Sequence, residues 1–538
     1  MPYSCFPVTI GGRENRLLQS NNFNTSPYSP ANATVTSGFE GYDGSNDAWK
    51  VASTTIGSET RIRQSQTFTT GEIISLSVYM KKGNVNFGIV RTYAISGGGR
   101  AWFDLENGTV ETENSGINGS IEDVGNGWYR CSIWGVIDTT GAVDIAPAPA
   151  DGDYLADAVG EFIYIQDSQL ESGLVATDYI ETGATTAQAG ILEDMPRLDY
   201  SGGATCPSLL LEPQRSNVIT QSEYIGAWTE SALTITDNNA TSPEGVLNAA
   251  KLTLPSGSAT KRIALGSMPV TAVARSYSFF VKSDDITAVQ LVHSGDLQGY
   301  ARFDISTGVV GSSGTKTTSD IQDYGNGWYR CIANFDSSNA FGSTIYLYIS
   351  DSATGSYGGS TSAEGDLFVY GAQYEEGSYP TSYIPTYGAS VTRSDEYFNT
   401  SVDLQTEGIL SSTWTFLYDQ TFVDVPRDNA AAVFLIEDSS GNSVRISLSV
   451  DGSFRCQISR VGILATTSGN KILGRYDGSS VEFFVDGVSV GSGSALPNEF
   501  DNLNQYNPST ETSKTIKLNQ ILIFPTALTD AECIQLTT

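Results

Sequence analysis

Two short glycine-containing loops in the first third of the chain carry several oxygen-bearing side chains. Carboxylate and amide oxygens are the ligands that calcium prefers, and a calcium shell needs about six to eight of them. We therefore expect calcium as the one candidate ion, and the alternative is a pair of polar turns without metal. The candidate ligands are Asp43, Asn46, Asp47, Asp151 and Asp153.

Two further carboxylates recur in each half of the chain, and paired carboxyl groups can hydrolyse a glycosidic bond by acid–base chemistry. Each aspartate, however, stands directly before a turn, where its side chain would cap backbone amides. We therefore predict a protein without catalytic residues that is not an enzyme. The recurring carboxylates are Asp104, Asp304, Glu171 and Glu375.

Other reaction chemistry lacks the residues that it needs. His293 is the only histidine, and the six cysteines form no CxxC pair, so a zinc centre is not expected. The N-terminus has no basic region followed by an apolar stretch, which predicts synthesis and assembly in a cytoplasm with reduced cysteines. We expect no cofactor apart from calcium.

The charge of the chain excludes two classes of partner. Its 538 residues include 60 acidic and 29 basic side chains, for a net charge of −31. Such a polyanion repels nucleic-acid phosphates and anionic lipid surfaces, so we expect no nucleic-acid partner. The sequence has no run of about 18 apolar residues, so we expect no membrane insertion.

An internal repeat sets the organisation of the chain. The sequence Gly-Asn-Gly-Trp-Tyr-Arg-Cys occurs at residues 125–131 and again, unchanged, at residues 325–331. A repeat this distant indicates a duplicated domain rather than a solenoid. The predicted units are an N-terminal segment (1–14), a first repeat (15–186), a linker (187–213), a second repeat (214–394) and a third domain (395–538).

Apolar side chains alternate with a period of two in both repeats. Leu76 and Val78 in the first repeat, and Phe279 and Val281 in the second, would face a core. Turns rich in Gly and Asn separate these runs at short intervals. The pattern predicts an all-β chain of tandem antiparallel β-sandwiches of the jelly-roll type.

The repeated motif contains a tryptophan and an arginine that allow two interpretations. Trp128 and Trp328 would stack on sugar rings if exposed, but we favour an indole packed in the core at the start of a strand. Arg130 and Arg330 are interpreted as structural ion-pair or backbone donors rather than ligand-binding residues. No glycan-binding residue is assigned from the sequence.

The C-terminal third of the chain changes its pattern to strands joined by Asp-Gly turns at residues 477–478 and 486–487. Near the end, Thr529 and Glu532 have the spacing of a capping box and predict a short helix.

Two resemblances follow from these motifs. Residues 474–487 with residues 523–532 resemble the concanavalin A/laminin-G-type lectin fold, so the third domain is expected to be a concanavalin A-like sandwich. The repeats, with residues 206–217 and 381–393, resemble the carbohydrate-binding-module-like jelly rolls of phage head-spike and tail-fibre proteins.

The resemblance implies a bacteriophage virion protein, a head or tail fibre, spike or decoration subunit that attaches to host-surface glycans. Other capsid or tail proteins would be its partners, and it would form a homo-oligomer, by analogy a trimer. One alternative is a structural connector or capsid-decorating protein without glycan binding. Another is a bacterial adhesin or glycan-active enzyme.

Overall fold

The computed structural model describes residues 13–95, 98–189, 197–199, 208–336, 342–396, 398–400, 412–422, 431–437, 443–448, 453–458, 462–494, 502–505 and 516–538. Most of the expected N-terminal segment, residues 1–12, lies outside these ranges. Among the described residues, no helix is long and apolar enough to cross a membrane.

The first repeat consists of strands joined by turns. Its strands are β1 Arg13–Asn15, β2 Ser29–Ala31, β3 Ala33–Phe39, β4 Ala48–Ser53, β5 Arg61–Gln66, β6 Ile73–Lys82, β7 Phe87–Thr92, β8 Gly99–Asp104, β9 Thr109–Glu113, β10 Asn118–Gly125, β11 Trp128–Val136, β12 Gly141–Ala148, β13 Phe162–Ser172 and β14 Ala187–Ala189. Two strands follow before the second repeat, β15 Arg197–Asp199 and β16 Ser208–Leu211.

The second repeat adds a single 3-10 turn, Ile225–Ala227, to a matching set of strands. These are β17 Arg215–Asn217, β18 Thr229–Ser231, β19 Thr234–Ala240, β20 Ala249–Leu254, β21 Arg262–Leu265, β22 Arg275–Ser283, β23 Ala288–His293, β24 Tyr300–Asp304, β25 Val309–Ser313, β26 Thr317–Asp323, β27 Trp328–Phe335, β28 Ile345–Ser350, β29 Gly365–Glu376 and β30 Val391–Arg393.

The two repeats have the same topology. Sheet A has the order β2-β5-β12-β7-β8-β9 in the first repeat and β18-β21-β28-β23-β24-β25 in the second. Sheet B has the order β10-β11-β6-β13-β4-β3 in the first and, read in the same direction, β26-β27-β22-β29-β20-β19 in the second. Every neighbouring pair of strands in these sheets is antiparallel.

The core of each repeat lies between its sheets A and B. In the first repeat Leu76 and Val78 of sheet B belong to one buried cluster with Val90 and Ile145 of sheet A. Full burial of one such side chain contributes about 1.5–3 kcal/mol to folding. The predicted inward faces of both repeats are therefore confirmed, since the matching Phe279 and its neighbours are buried in the second repeat.

The C-terminal domain is a third sandwich. Its elements are β31 Phe398–Thr400, β32 Trp414–Phe422, β33 Ala431–Glu437, β34 Ser443–Leu448, β35 Phe454–Ile458, β36 Gly462–Thr467, β37 Lys471–Tyr476, β38 Ser480–Val485, β39 Val488–Ser494, β40 Asn502–Gln505, β41 Ile516–Phe524 and helix α1 Asp530–Thr537. A seven-stranded sheet, β15-β16-β41-β32-β37-β38-β39, faces a six-stranded sheet, β31-β40-β33-β34-β35-β36. The all-β class with tandem jelly-roll sandwiches and a concanavalin A-like C-terminal sandwich is thus confirmed.

Residues 197–199 and 208–211 of the segment expected to be a linker belong to the third sandwich. Leu209 and Leu210 in β16 pair with Leu518 and Lys517 in β41, and Leu211 is buried in the C-terminal core. Residues 187–189 instead pair with β1 and close the first repeat. The chain therefore builds one edge of its last domain before it enters the second repeat.

The predicted capping box begins the C-terminal helix. The Thr529 hydroxyl accepts a hydrogen bond from the Glu532 amide, and the Glu532 carboxylate accepts one from the Thr529 amide. Cys533 of this helix packs with Leu417 and Leu473 on the outside of the seven-stranded sheet.

Candidate functional site

The first predicted calcium loop lies beside β13 and is organised by a glutamine. The Gln166 amide nitrogen donates to Asp47 Oδ1 at 2.7 Å and to Asp43 Oδ1 at 3.2 Å. Its carbonyl oxygen accepts from the Tyr42 backbone amide at 3.0 Å, which fixes the orientation of the side-chain amide. The NH2 group therefore occupies the position between the two carboxylates that a cation would need.

The second predicted loop is held by the opposite sheet. Asp151 accepts hydrogen bonds from the Thr112 amide at 3.0 Å and hydroxyl at 2.8 Å, which attaches the loop to β9. Asp153 accepts from the Leu155 amide, and its backbone carbonyl accepts from the Trp102 indole. These contacts are those of a turn, and the structure does not bring this loop to Asp43 and Asp47.

The donor set therefore fits a calcium ion poorly. Asn46 is exposed beside Asp47, and the described residues include no group of three or more carboxylate, cysteine or histidine side chains that could hold a metal. The geometry favours the alternative of polar turns, and calcium binding itself stays a prediction.

The recurring aspartates cap turns, as the alternative to catalysis predicted. Asp104 Oδ1 accepts from the backbone amides of Glu106 and Asn107 at 2.8 and 3.1 Å. Asp304 Oδ1 likewise accepts from the backbone amides of Ser306 and Thr307 at 3.0 and 3.1 Å. In both repeats the aspartate carboxylate is therefore hydrogen-bonded within its own turn.

Each recurring glutamate accepts hydrogen bonds from a threonine six residues later in the chain. Glu171 accepts from the Thr177 amide at 2.8 Å and hydroxyl at 2.6 Å, and Glu375 accepts from the amide and hydroxyl of Thr381. The aspartates lie on sheet A and the glutamates on sheet B, so the two recurring carboxylates of each repeat stand on different sheets of the sandwich.

The repeated tryptophans are buried at the start of a strand, as expected, but they lie outside the main core. Trp128 is 1% exposed and Trp328 is 2% exposed, and each packs in a small cluster on the outer side of sheet B rather than in the main core. Arg130 donates to the Thr177 carbonyl, and Arg330 donates to the Ser278 hydroxyl. Neither motif forms an open binding site.

A row of half-buried aromatic rings covers the outer face of sheet B in the first repeat. Phe39 and Tyr164 have ring centroids 5.0 Å apart, and Phe162 meets Tyr164 edge-on at 5.3 Å. The Lys50 ammonium lies 3.9 Å from the centre of the Phe162 ring. We call these four residues, together with Tyr42, the aromatic face.

Strand alternation explains how the aromatic face forms. Ile163 and Ile165 of β13 point into the core, so Phe162 and Tyr164 must point to the outside of the sheet. Lys50 lies opposite Tyr164 on the neighbouring strand β4, and this register places its ammonium over the adjacent Phe162 ring.

The rim of the aromatic face carries a stacked ring pair and a buried acid. Tyr42 stacks on Tyr79 with centroids 3.8 Å apart and planes 5° apart, and its hydroxyl donates to Asp167 at 3.0 Å. Burial is the main cause that raises the pKa of Asp167 to about 7, and the nearby Asp47 and Asp43 carboxylates add to it. The predicted loop of residues 43–47 therefore borders this face.

The second repeat lacks the aromatic face. Ala240 stands where the first repeat has Phe39, and Asp366 stands where it has Phe162. Asp366 forms an ion pair with Lys251 at 3.3 Å, so the lysine that covers a ring in one repeat neutralises a carboxylate in the other. The aligned sequences of the two repeats already differ here, with Phe39 against Ala240 and Phe162 against Asp366. That these side chains point out of the sandwich was not evident without the register of the sheet.

Comparisons with known proteins give a weak structural similarity and no matching sequence family. No family model matches the chain, and no curated protein sequence matches it significantly. Among solved structures, the N-terminal CBM22-1–CBM22-2 tandem domain of Paenibacillus barcinonensis Xyn10C matches with a TM-score of 0.22 and 9% sequence identity, covering 69% of this chain and 99% of that one. Because this similarity is so low, the function has to follow from the side chains of the chain itself.

Proposed function

We propose that the chain is a non-catalytic glycan-binding protein and that the aromatic face of its first repeat contacts the sugar. The observation that supports this is the row of half-buried rings at Phe39, Tyr164 and Phe162, on the side of the sheet away from the folding core.

Sugar rings suit such a surface for a physical reason. The C–H groups on one side of a pyranose pack on an aromatic ring, and rigid aromatic side chains lose little conformational entropy on binding. The ammonium of Lys50, which lies over one side of the Phe162 ring, and the carboxylates of Asp43 and Asp47 at the border can bind hydroxyl groups. The face therefore combines an apolar floor with a polar border.

We further propose that the protein is displayed on a bacteriophage particle, as a fibre, spike or decoration subunit. The motifs that resemble phage virion proteins, the tandem sandwiches and the acidic charge support this placement. Weak binding at one face would be compensated by many copies on one particle. Antibody labelling of purified particles tests the placement, and labelling of host material but not of particles would contradict it.

A glycan array probed with the full chain tests the binding proposal. The double variant Phe162→Ala with Tyr164→Ala removes two adjacent rings, and we expect it to lose the array signal from uncharged glycans. Phe368→Ala is the matched control because Phe368 has the position of Tyr164 in the second repeat, where Ala240 and Asp366 replace the neighbouring rings of Phe39 and Phe162. A signal from uncharged glycans that survives the double variant, or an array without such a signal for the native chain, contradicts the proposal.

A further inference from the structure

The outer face of sheet A in the second repeat carries a cluster of tyrosines, here called the tyrosine cleft. Tyr346 and Tyr348 alternate with the core residues of β28 and have ring centroids 5.4 Å apart. Tyr300 on β24 and Tyr357 on the loop after β28 complete the cluster with Val292. Tyr346 and Tyr357 remain half-buried at the surface, whereas Tyr348 is 5% exposed beneath them.

A glycine-rich loop forms one wall of this cleft and is attached along its length. Arg302 donates to the carbonyls of Ser352, Ser356 and Gly358 at 2.6 to 3.1 Å. Gln290 donates to the Ser356 carbonyl and accepts from the Gly358 amide. These bonds hold the loop segment that presents Tyr357, so the wall is part of the fold.

Arg262 on the neighbouring strand β21 packs against two of these rings. Its guanidinium carbon is 4.6 Å from the Tyr346 ring centre and 5.2 Å from that of Tyr348, and it donates to the Tyr348 hydroxyl. Within the part of the chain that the structure describes, it makes no ion pair with a carboxylate. A cation held in place by two rings and without a carboxylate partner among the described residues is locally complementary to an anion.

The same register position in the first repeat is closed by ion pairs. Arg61 corresponds to Arg262 and pairs with Glu59 at 2.7 Å. Asp144, which stands in the place of Tyr346, pairs with Arg63 at 2.7 Å and with Arg91. The arginine at this position has acidic partners in one repeat and aromatic neighbours in the other.

We propose that the cleft formed by Arg262, Tyr346 and Tyr357 is a second binding site, specific for an acidic saccharide. The carboxylate of a uronic or sialic acid would accept hydrogen bonds from the Arg262 guanidinium, and the sugar ring would pack on the exposed edges of Tyr346 and Tyr357. This site is separate from the aromatic face, and it extends the proposed function by assigning a second sugar class to the other repeat.

The test uses calorimetric titration of the full chain with oligosaccharides that contain uronic or sialic acid, each compared with its carboxyl-methylated ester. We expect the acid form to bind at least about tenfold more tightly than the ester, because esterification removes the charge that Arg262 binds. Raising the salt concentration should weaken the binding of the acid form and leave that of the ester unchanged.

Variants assign the binding to the cleft. Arg262→Gln should lose the preference for acid over ester while keeping the native melting temperature, and Tyr346→Ala should weaken both forms. Tyr164→Ala, on the aromatic face, is the control and should leave acid binding unchanged. Equal binding of acid and ester, acid binding that survives Arg262→Gln, or silence across the acidic panel overturns the inference. In each case a glycan signal that depends on Tyr164 leaves the proposed function intact.

Discussion

Buried acidic side chains in this protein differ in the hydrogen bonds that their carboxylates accept. Glu171 and Glu375 accept bonds from neighbouring amides and hydroxyls, whereas Asp167 has mainly the Tyr42 hydroxyl and lies near the Asp43 and Asp47 carboxylates. Its pKa is raised to about 7 by burial, so the folded protein favours the protonated form. The stability that Asp167 contributes is therefore complete below its unfolded pKa of 3.8 and is lost as the pH rises to about 7.

Asp167→Asn should accordingly stabilise the protein at pH 8 and have little effect at pH 4. The amide removes the cost of a buried charge, and Asn tolerates the positive φ of 48° at this position. We expect a gain of about 1–2 kcal/mol in the free energy of unfolding at pH 8. Denaturant unfolding at both pH values measures it. Asp123→Asn, at an exposed position of the same sheet, is the control, and an equal gain at both pH values would contradict the assignment.

At the scale of strands and turns, the sequence was sufficient wherever alternation and turn residues agreed. The inward faces of β6 and β22, the Asp486-Gly487 hairpin with positive φ at both residues, and the capped helix at Thr529 were all predictable from local patterns. Each of these depends on side chains close together in the sequence.

Features that depend on distant pairing were not predictable. Residues 208–211 resemble a linker because nothing local indicates that they pair with β41, more than 300 residues later. The aromatic face likewise needs the register of β3, β4 and β13 before Phe39 meets Tyr164. The calcium prediction missed Gln166 for the same reason, since the glutamine is distant in sequence from the loop that it fills.

The repeated turn glycine offers a test at this scale. A Cβ at Gly308, where φ is +69°, would lie 2.4 Å from the Tyr329 ring. Gly308→Ala should therefore destabilise the chain by about 2–3 kcal/mol, combining backbone strain with a clash. Gly152→Ala is the matched control, because its φ of +73° is similar and a Cβ there meets nothing within 4 Å. Thermal unfolding measures both, and equal losses would show that the contact with Tyr329 does not matter.

At the scale of the whole molecule, a buried ionic cluster joins the two repeats. Arg13 of the first repeat donates to Tyr387 and Glu244 of the second, both at 2.9 Å. Glu223 is buried in the same cluster, and burial together with Glu244 raises its pKa to about 7 although Arg13 opposes this. Backbone bonds such as Ile73 to Tyr387 reinforce the junction. The tandem repeats are therefore held in one arrangement, which fixes the aromatic face and the tyrosine cleft relative to each other.

Arg13→Ala should weaken this junction strongly, because it leaves two buried glutamates without a cation. We expect a loss of about 3–5 kcal/mol, larger at pH 8 than at pH 5, since Glu223, whose pKa is raised to about 7, is ionised at the higher pH. Calorimetry measures it, and Glu244→Gln added to the variant should restore part of the loss. Arg16→Ala, which breaks an ion pair with Glu72 inside the first repeat, is the control. A junction that melts at the native temperature without Arg13 would contradict this role.

The central claim is that the first repeat holds a sugar on its aromatic face. An experimental structure of the full chain with the uncharged oligosaccharide that gives the strongest array signal tests it most directly. We predict a sugar ring packed against Tyr164 and Phe162, with hydroxyl groups bonded to Lys50 or to the carboxylates of residues 43–47. A sugar bound only elsewhere on the chain, with these rings uncovered, would contradict the claim.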